Sequence, residues 1–271
     1  MMVEDFSHAT LGKDGPRVFR LGLSGTYRPG KAAIHRAVDE GVNYFFCYGF
    51  DRQLVGFLRD SSPGERAGRV IATGAYNLIW TRQDLRRTLE KRLRQFRTDY
   101  IDVFMFLGVM KSKEFPEPLQ EELQRLKEGG KVRAVGMSCH NRKFFGELAA
   151  RGALDVLMMR YNAAHRGAEQ DIFPHLEAFH PGVVSYTATR WSYLMRRPKG
   201  WPKDGRIPAA GMCYRFVLSS PHVDVCMTAP SNLKQLEENL AAVRQGPLPE
   251  DEIEFMRAFG DAVHHTKKWF M

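Results

Sequence analysis

Short apolar, β-rich runs alternate along this chain with longer stretches whose apolar residues recur at helical spacing. The runs are Val18–Leu23, Asn43–Phe46, Val70–Thr73, Ile101–Leu107, Val132–Met137, Val156–Tyr161, Gly182–Tyr186 and Val223–Met227. Strand and helix patterns in alternation predict βαβ units on a parallel sheet. The units recur about every thirty residues. Eight of them in 271 residues have the number and size of an α/β fold of the (β/α)8 barrel type. In such barrels the chemistry sits at the C-terminal ends of the strands.

The helical stretches carry their own punctuation. Lys31–Glu40 stops at Gly41, a C-terminal glycine. Thr81 is positioned to cap Arg82–Phe96. Pro116 and Pro118 open a fourth helix that ends at Gly129-Gly130. Asn141–Ala150, Glu169–Phe179, Ala209–Ser219 and Asn232–Arg244 follow, the last capped by Ser231-Asn232, and Pro249–His264 is an appended C-terminal helix. Ahead of the first barrel strand, Lys13-Asp14-Gly15 is a turn signal between two extended pieces, predicting an N-terminal β-hairpin under the barrel. The long loop Ala188–Pro208 holds Trp191, Tyr193, Trp201, three prolines and six basic residues. Its length and aromatic content predict a lid. No linker or low-complexity tract divides the chain, so residues 1–271 are expected to form one domain.

Composition narrows the class. The net charge of +9 is spread over helices and loops, with no aromatic-interleaved basic stripe of the kind that binds nucleic acid. No run is long and apolar enough to span a membrane. Cys47, Cys139, Cys213 and Cys226 have neither zinc nor disulfide spacing, which points to a reduced, cytoplasmic protein without a metal site.

The order of motifs resembles the aldo-keto reductase family along nearly the whole chain. The pieces are Arg20-Leu21-Gly22-Leu23, Gly41-Val42-Asn43-Tyr44-Phe45, Thr98-Asp99-Tyr100-Ile101-Asp102, Gly130-Lys131-Val132-Arg133-Ala134-Val135-Gly136-Met137-Ser138, Gly182-Val183-Val184-Ser185-Tyr186 and Pro230-Ser231-Asn232-Leu233-Lys234-Gln235-Leu236-Glu237-Glu238-Asn239. The resemblance implies a reductase of small carbonyl compounds that uses NADP(H). It also implies a cofactor site: Ser138 on the nicotinamide carboxamide, Tyr186 stacked on the ring with Thr187 beside it, and Ser231, Gln235, Glu238 and Asn239 at the adenosine end. Arg190, with Arg196, Arg197, Lys199, Lys203 and Arg206 of the long loop, is a candidate clamp for the pyrophosphate. The family's strand-six Gln is Met158 here, and the Asn beside its strand-five Ser is Cys139.

The catalytic half departs from that pattern. Phe46 stands where the family places an Asp, Gly74 where it places a Lys, and Leu107 or Gly108 where it places a His. The loop after the second strand is shortened, which leaves Tyr48-Gly49 as a displaced remnant of the family's Tyr-Gly. Tyr48 is therefore the first candidate for proton donor. A phenol ionises near pH 10 unless a neighbouring cation lowers it, so such a donor needs a partner. His140 and His165, near the ends of strands five and six, are further acid/base candidates, since an imidazole titrates near neutrality. Two other classes stay open: a non-catalytic relative that binds nucleotide, and a different reaction class built on His140, His165 and Arg166. The oligomeric state is not indicated.

Overall fold

A computed structural model of the chain describes residues 5–77 and 82–266. Strands β1 (His8–Thr10) and β2 (Arg17–Phe19) pair antiparallel, with His8 opposite Phe19, and form the expected hairpin. Eight parallel strands follow: β3 (Leu21–Ser24), β4 (Tyr44–Phe46), β5 (Val70–Tyr76), β6 (Ile101–Val109), β7 (Val132–Cys139), β8 (Val156–Arg160), β9 (Gly182–Tyr186) and β10 (Val225–Thr228). They pair in chain order, and β10 closes back on β3. Around them lie α1 (Lys31–Asp39), α2 (Arg52–Arg59), α3 (Pro63–Ala67), α4 (Leu85–Phe96), α5 (Glu117–Glu128), α6 (Arg142–Ala150), α7 (Ala168–Asp171), α8 (Ala210–Leu218), α9 (Leu233–Val243) and α10 (Glu250–Thr266). The chain is a (β/α)8 barrel.

The period-2 alternation of the strands sorts side chains into two cores. On β6, Val103, Met105 and Leu107 point into the barrel, while Phe104 and Phe106 face the helices. Each buried aromatic or aliphatic side chain of this kind contributes about 1.5–3 kcal/mol. The hairpin plugs the bottom of the barrel. Leu11 and Val18 belong to the barrel interior, and Asp224 accepts hydrogen bonds from the Gly12 and Val183 amides at 3.1 and 2.9 Å. Asn43 ties the hairpin down from another side, taking the Phe19 amide and donating to the Arg17 carbonyl, both at 2.9 Å.

Several boundaries depart from the sequence pattern, each for a local reason. The first run splits at Arg20, whose guanidinium turns back to the Leu218 and Val223 carbonyls. Helix α4 begins at Leu85 because Asp84 caps it, accepting from the Arg87 amide at 2.7 Å; Thr81, the expected cap, lies outside the described residues. The expected helix Glu169–Phe179 is only the single turn α7 and a 3-10 turn at Phe173–His175, since Pro174 cannot donate within a helix. Helices α2 and α3 were not anticipated, although Ser62 and Glu65 form a capping box at the start of α3.

Candidate active site

Inward-facing residues at the C-terminal ends of all eight barrel strands meet at one cavity of about 820 Å³: Ser24, Phe46, Tyr76, Leu107, Ser138, Met158, Tyr186 and Met227. The cavity runs outward to the loop before α9 and that helix's first turns, where Ser231, Gln235, Glu238 and Asn239 line it. Thr187, Trp191, Ser192 and Met195 form another wall. Thr187, Arg190, Trp191 and Ser192 all have positive φ, between 48° and 68°. Left-handed backbone at four non-glycine residues costs free energy that surrounding contacts must offset, and such strain collects at functional sites.

The aldo/keto reductase family profile matches residues 26–198, well over half of the chain. The chain belongs to that family. Among curated relatives, the uncharacterized oxidoreductase YqkF of Bacillus subtilis is 22% identical over 87% of this chain and 87% of its own length. L-galactose dehydrogenase of Arabidopsis thaliana is 22% identical over 79% of this chain and 77% of its own. Among solved structures, the holo form of aldo-keto reductase AKR11C1 from Bacillus halodurans superposes with a TM-score of 0.77 at 20% identity, covering 94% of this chain and 97% of that one.

Within this aldo/keto reductase barrel the short loop after β4 is held from behind. Arg92 of α4 donates to the Tyr48 carbonyl at 2.8 Å and to Gln95 at 2.9 Å, and Gln95 in turn donates to the Gly49 carbonyl. Thr73 donates to the Cys47 carbonyl at 2.7 Å, and the Asp51 carboxylate accepts from the Gly49 amide at 3.0 Å. Gly49 has a φ of 89°, and a Cβ there would lie 2.0 Å from an Arg92 guanidinium nitrogen. Only glycine allows both the turn and the approach. Pinned this way, Tyr48 reaches the cavity, with its ring stacked on Tyr76 (6.0 Å between centroids, 15°) and edge-on to Phe46 (4.9 Å, 89°).

Tyr76 escaped the sequence reading. Its backbone is clasped by Gln83, whose side chain accepts from the Tyr76 amide and whose own amide donates to the Tyr76 carbonyl. The Tyr76 hydroxyl is buried without a hydrogen-bond partner among the described residues. Burial pushes its pKa up, and the Arg92 charge opposes that rise. The signal lay in the alternation: Val70, Ala72, Gly74 and Tyr76 share one face of β5, so Tyr76 tops the inward row.

Three residues expected at the family's other polar positions, Phe46, Gly74 and Leu107, are apolar or bare. Phe46 and Leu107 line the cavity. At Gly74 a Cβ would lie 2.0 Å from the Met105 carbonyl oxygen, so any side chain there must displace the sheet.

Of the other expected residues, His140 lines the cavity with its ring edge-on to Tyr186 at 6.4 Å. Its pKa is lowered by burial and by the Arg160 charge, which leaves a neutral imidazole at pH 7. Ser138 accepts a hydrogen bond from the Gly108 amide at 2.8 Å. Ser231 and Gln235 bond each other at 2.9 Å, and Asn239 donates to Thr228, which donates to Tyr214.

His165 and Arg190 do not line the cavity, contrary to expectation. His165 packs edge-on to His264 of α10 at 5.2 Å. Burial, followed by the charges of Arg160 and Arg190, pushes its pKa down to about 3. Arg190 is 2% exposed and donates to the Val263 carbonyl at 2.9 Å. Arg166 spans to α10, with Asp261 at 2.8 Å, while Glu169 pairs with Arg257 instead of with Arg166. The presumed His/Arg/Glu cluster therefore fastens the C-terminal helix to the loop after β8. The long loop also divides its aromatics: Trp191 lines the cavity, whereas Trp201 packs on Phe259 of α10 at 4.9 Å.

All four cysteines are buried and free. Burial pushes the Cys139 and Cys213 thiols up to about 12, so none is prepared for nucleophilic work. Among the described residues no group of three His, Cys, Asp or Glu side chains is placed to hold a metal ion. No described helix is long and apolar enough to cross a membrane.

Proposed function

We propose that this aldo/keto reductase is a nicotinamide-dinucleotide-dependent oxidoreductase acting on a small, uncharged carbonyl or alcohol. The observation that carries the reading is the continuity of one cavity from the strand ends to α9. Its volume of about 820 Å³ suits a cofactor with a small substrate beside it. At the inner end Ser138 offers a hydroxyl and Tyr186 a ring, the groups a nicotinamide amide and ring require; at the outer end Ser231, Gln235, Glu238 and Asn239 line the cavity, and in this reading they would hold the adenosine half. Once bound, the cofactor supplies or takes up a hydride.

The remaining task, moving a proton at the substrate oxygen, falls to the chain. Tyr48 is the proton donor in this reading. Arg92 fixes its backbone, and Tyr76 stacks against its ring. His140, neutral at pH 7, orients the substrate oxygen by donating an N–H hydrogen bond. His165, the third expected acid/base group, lies under α10 and is left out of the reaction. With Phe46, Gly74 and Leu107 at the other positions, the usual catalytic set is reduced to this tyrosine. The buried free thiols support a reducing, cytoplasmic setting.

The test is a titration with NADH and NADPH by calorimetry, then consumption of the reduced cofactor over a panel of uncharged aldehydes and ketones. Turnover in the wild type that falls about 10²–10⁴-fold in Tyr48→Phe supports the reading. Micromolar dinucleotide binding with no turnover favours the second reading, a nucleotide-binding relative without catalysis, for which the apolar Phe46 and Leu107 speak. Binding of neither dinucleotide overturns both.

A further inference from the structure

The cavity is poor in positive charge. Among its described lining residues there is no Lys or Arg, and the one charged side chain is the carboxylate of Glu238. Three of the six loop cations expected to clamp the pyrophosphate are committed elsewhere. Arg190 is buried on the Val263 carbonyl, Arg197 donates to the Pro202 and Gly205 carbonyls, and Arg206 pairs with Glu252 at 2.8 Å. Lys234 is 85% exposed on its side chain and stands 3.9 Å from Glu238. Gln235 spends its carbonyl oxygen on the Ser231 amide and hydroxyl. What it has left for a ligand is a neutral amide N–H.

This matters at one place on the ligand. The two phosphates of a pyrophosphate carry one charge each and can be met by backbone amides and a helix N-terminus. A phosphomonoester on the adenosine ribose is close to dianionic at pH 7 and is ordinarily held by Arg or Lys. Given the function proposed above, the nicotinamide lies at the strand ends and the adenosine half lies along Ser231–Asn239. There the ribose meets Gln235 and Glu238, a neutral amide and a carboxylate. A carboxylate accepts hydrogen bonds from ribose hydroxyls and repels a phosphate.

We infer that the cavity selects NAD(H) over NADP(H), with Gln235 and Glu238 of α9 as the discriminating residues. This differs from the NADP(H) that the family resemblance implies. Ribose hydroxyls suit these side chains, and the extra phosphate finds no counter-charge in the lining.

The experiment is calorimetric binding of NADH and NADPH to the full chain at low and high salt, for the wild type, Gln235→Arg and Glu238→Gln. The wild type is expected to bind NADH at least about tenfold tighter than NADPH, or about 1.4 kcal/mol. Added salt should narrow that gap, since it screens the Glu238 repulsion. Gln235→Arg should tighten NADPH about tenfold or more and shift the NADPH-to-NADH affinity ratio toward NADPH by at least as much. Glu238→Gln, at an exposed position with no packing role, should tighten NADPH several-fold. Wild-type protein that binds NADPH as tightly as NADH overturns the inference and leaves the proposed function standing. So does an unchanged NADPH affinity in both variants when each still binds NADH. Binding of neither dinucleotide by the wild type overturns the inference together with the function it rests on.

Discussion

Gly49 shows how one residue type sets the site. Its φ of 89° is open to glycine at no cost, and the space where a Cβ would sit is filled by the Arg92 guanidinium. Gly49→Ala should therefore cost about 1–3 kcal/mol, from backbone strain and from pushing Arg92 off the Tyr48 carbonyl. Urea unfolding measures the loss. An unchanged midpoint would mean the loop has a second closed form. None of this was legible beforehand, because the meeting of Tyr48 and Arg92, 44 positions apart, depends on how the shortened loop closes. His165 carries a second prediction at this scale. Its folded pKa of about 3 lies below the ordinary value of 6.5. As pH falls through 6.5 the unfolded chain gains a proton that the folded chain does not accept until about pH 3. Stability is thus complete above pH 6.5 and is lost progressively below it. Between pH 7 and pH 5 this group should cost about 1 kcal/mol after allowance for solvent screening. Burial is the main cause; Arg160, Arg190, His264 and Arg142 add to it. His165→Gln should flatten the acid side of a stability-against-pH curve, whatever it does to stability at pH 7. The sequence pointed to His165 as chemistry because spacing alone does not reveal that α10 covers it.

Among the elements, β5 and β6 illustrate what a motif can hold that a reaction does not need. The Thr98-Asp99-Tyr100-Ile101-Asp102 string is one of the motifs that carry the family resemblance. In the fold it builds a buried polar knot at the bottom of the barrel. Asp102 accepts from Arg66 of α3 at 2.8 Å and from the Ile71 amide of β5 at 2.9 Å. The guanidiniums of Arg66 and Arg133 both lie over the Tyr100 ring, at 4.1 and 3.8 Å from its centroid. Removing one partner of a buried pair leaves the other charge uncompensated. Arg66→Met should cost about 3–5 kcal/mol in chemical unfolding, and a loss below about 1 kcal/mol would show that water or Arg133 takes over. Strands were readable because their inward and outward rows differ in chemistry, as Val103, Met105 and Leu107 differ from Phe104 and Phe106. Helix limits were less so. Asp84 caps α4, and Pro174 breaks a helix that periodicity alone extends to Phe179.

For the molecule as a whole, the barrel separates what holds it from what it does. The hairpin, Asn43, Asp224 and the Arg66–Asp102 knot lie at the N-terminal ends of the strands, and the cavity lies at the C-terminal ends. Leu11 tests this division. It is 5% exposed, fills the bottom of the barrel interior, and rests on Gly182, where a Cβ would lie 2.8 Å from its side chain. Leu11→Ala removes buried methyl groups and leaves a void that neighbouring strands cannot fully close, so it should cost about 2–5 kcal/mol. The dinucleotide affinity should stay within about twofold, since no described hairpin residue lines the cavity. Unfolding midpoints and calorimetric binding on the same preparation read both quantities. If affinity falls tenfold alongside stability, the layers of the barrel are coupled from floor to mouth, and the cavity's shape depends on how tightly the hairpin plugs the base.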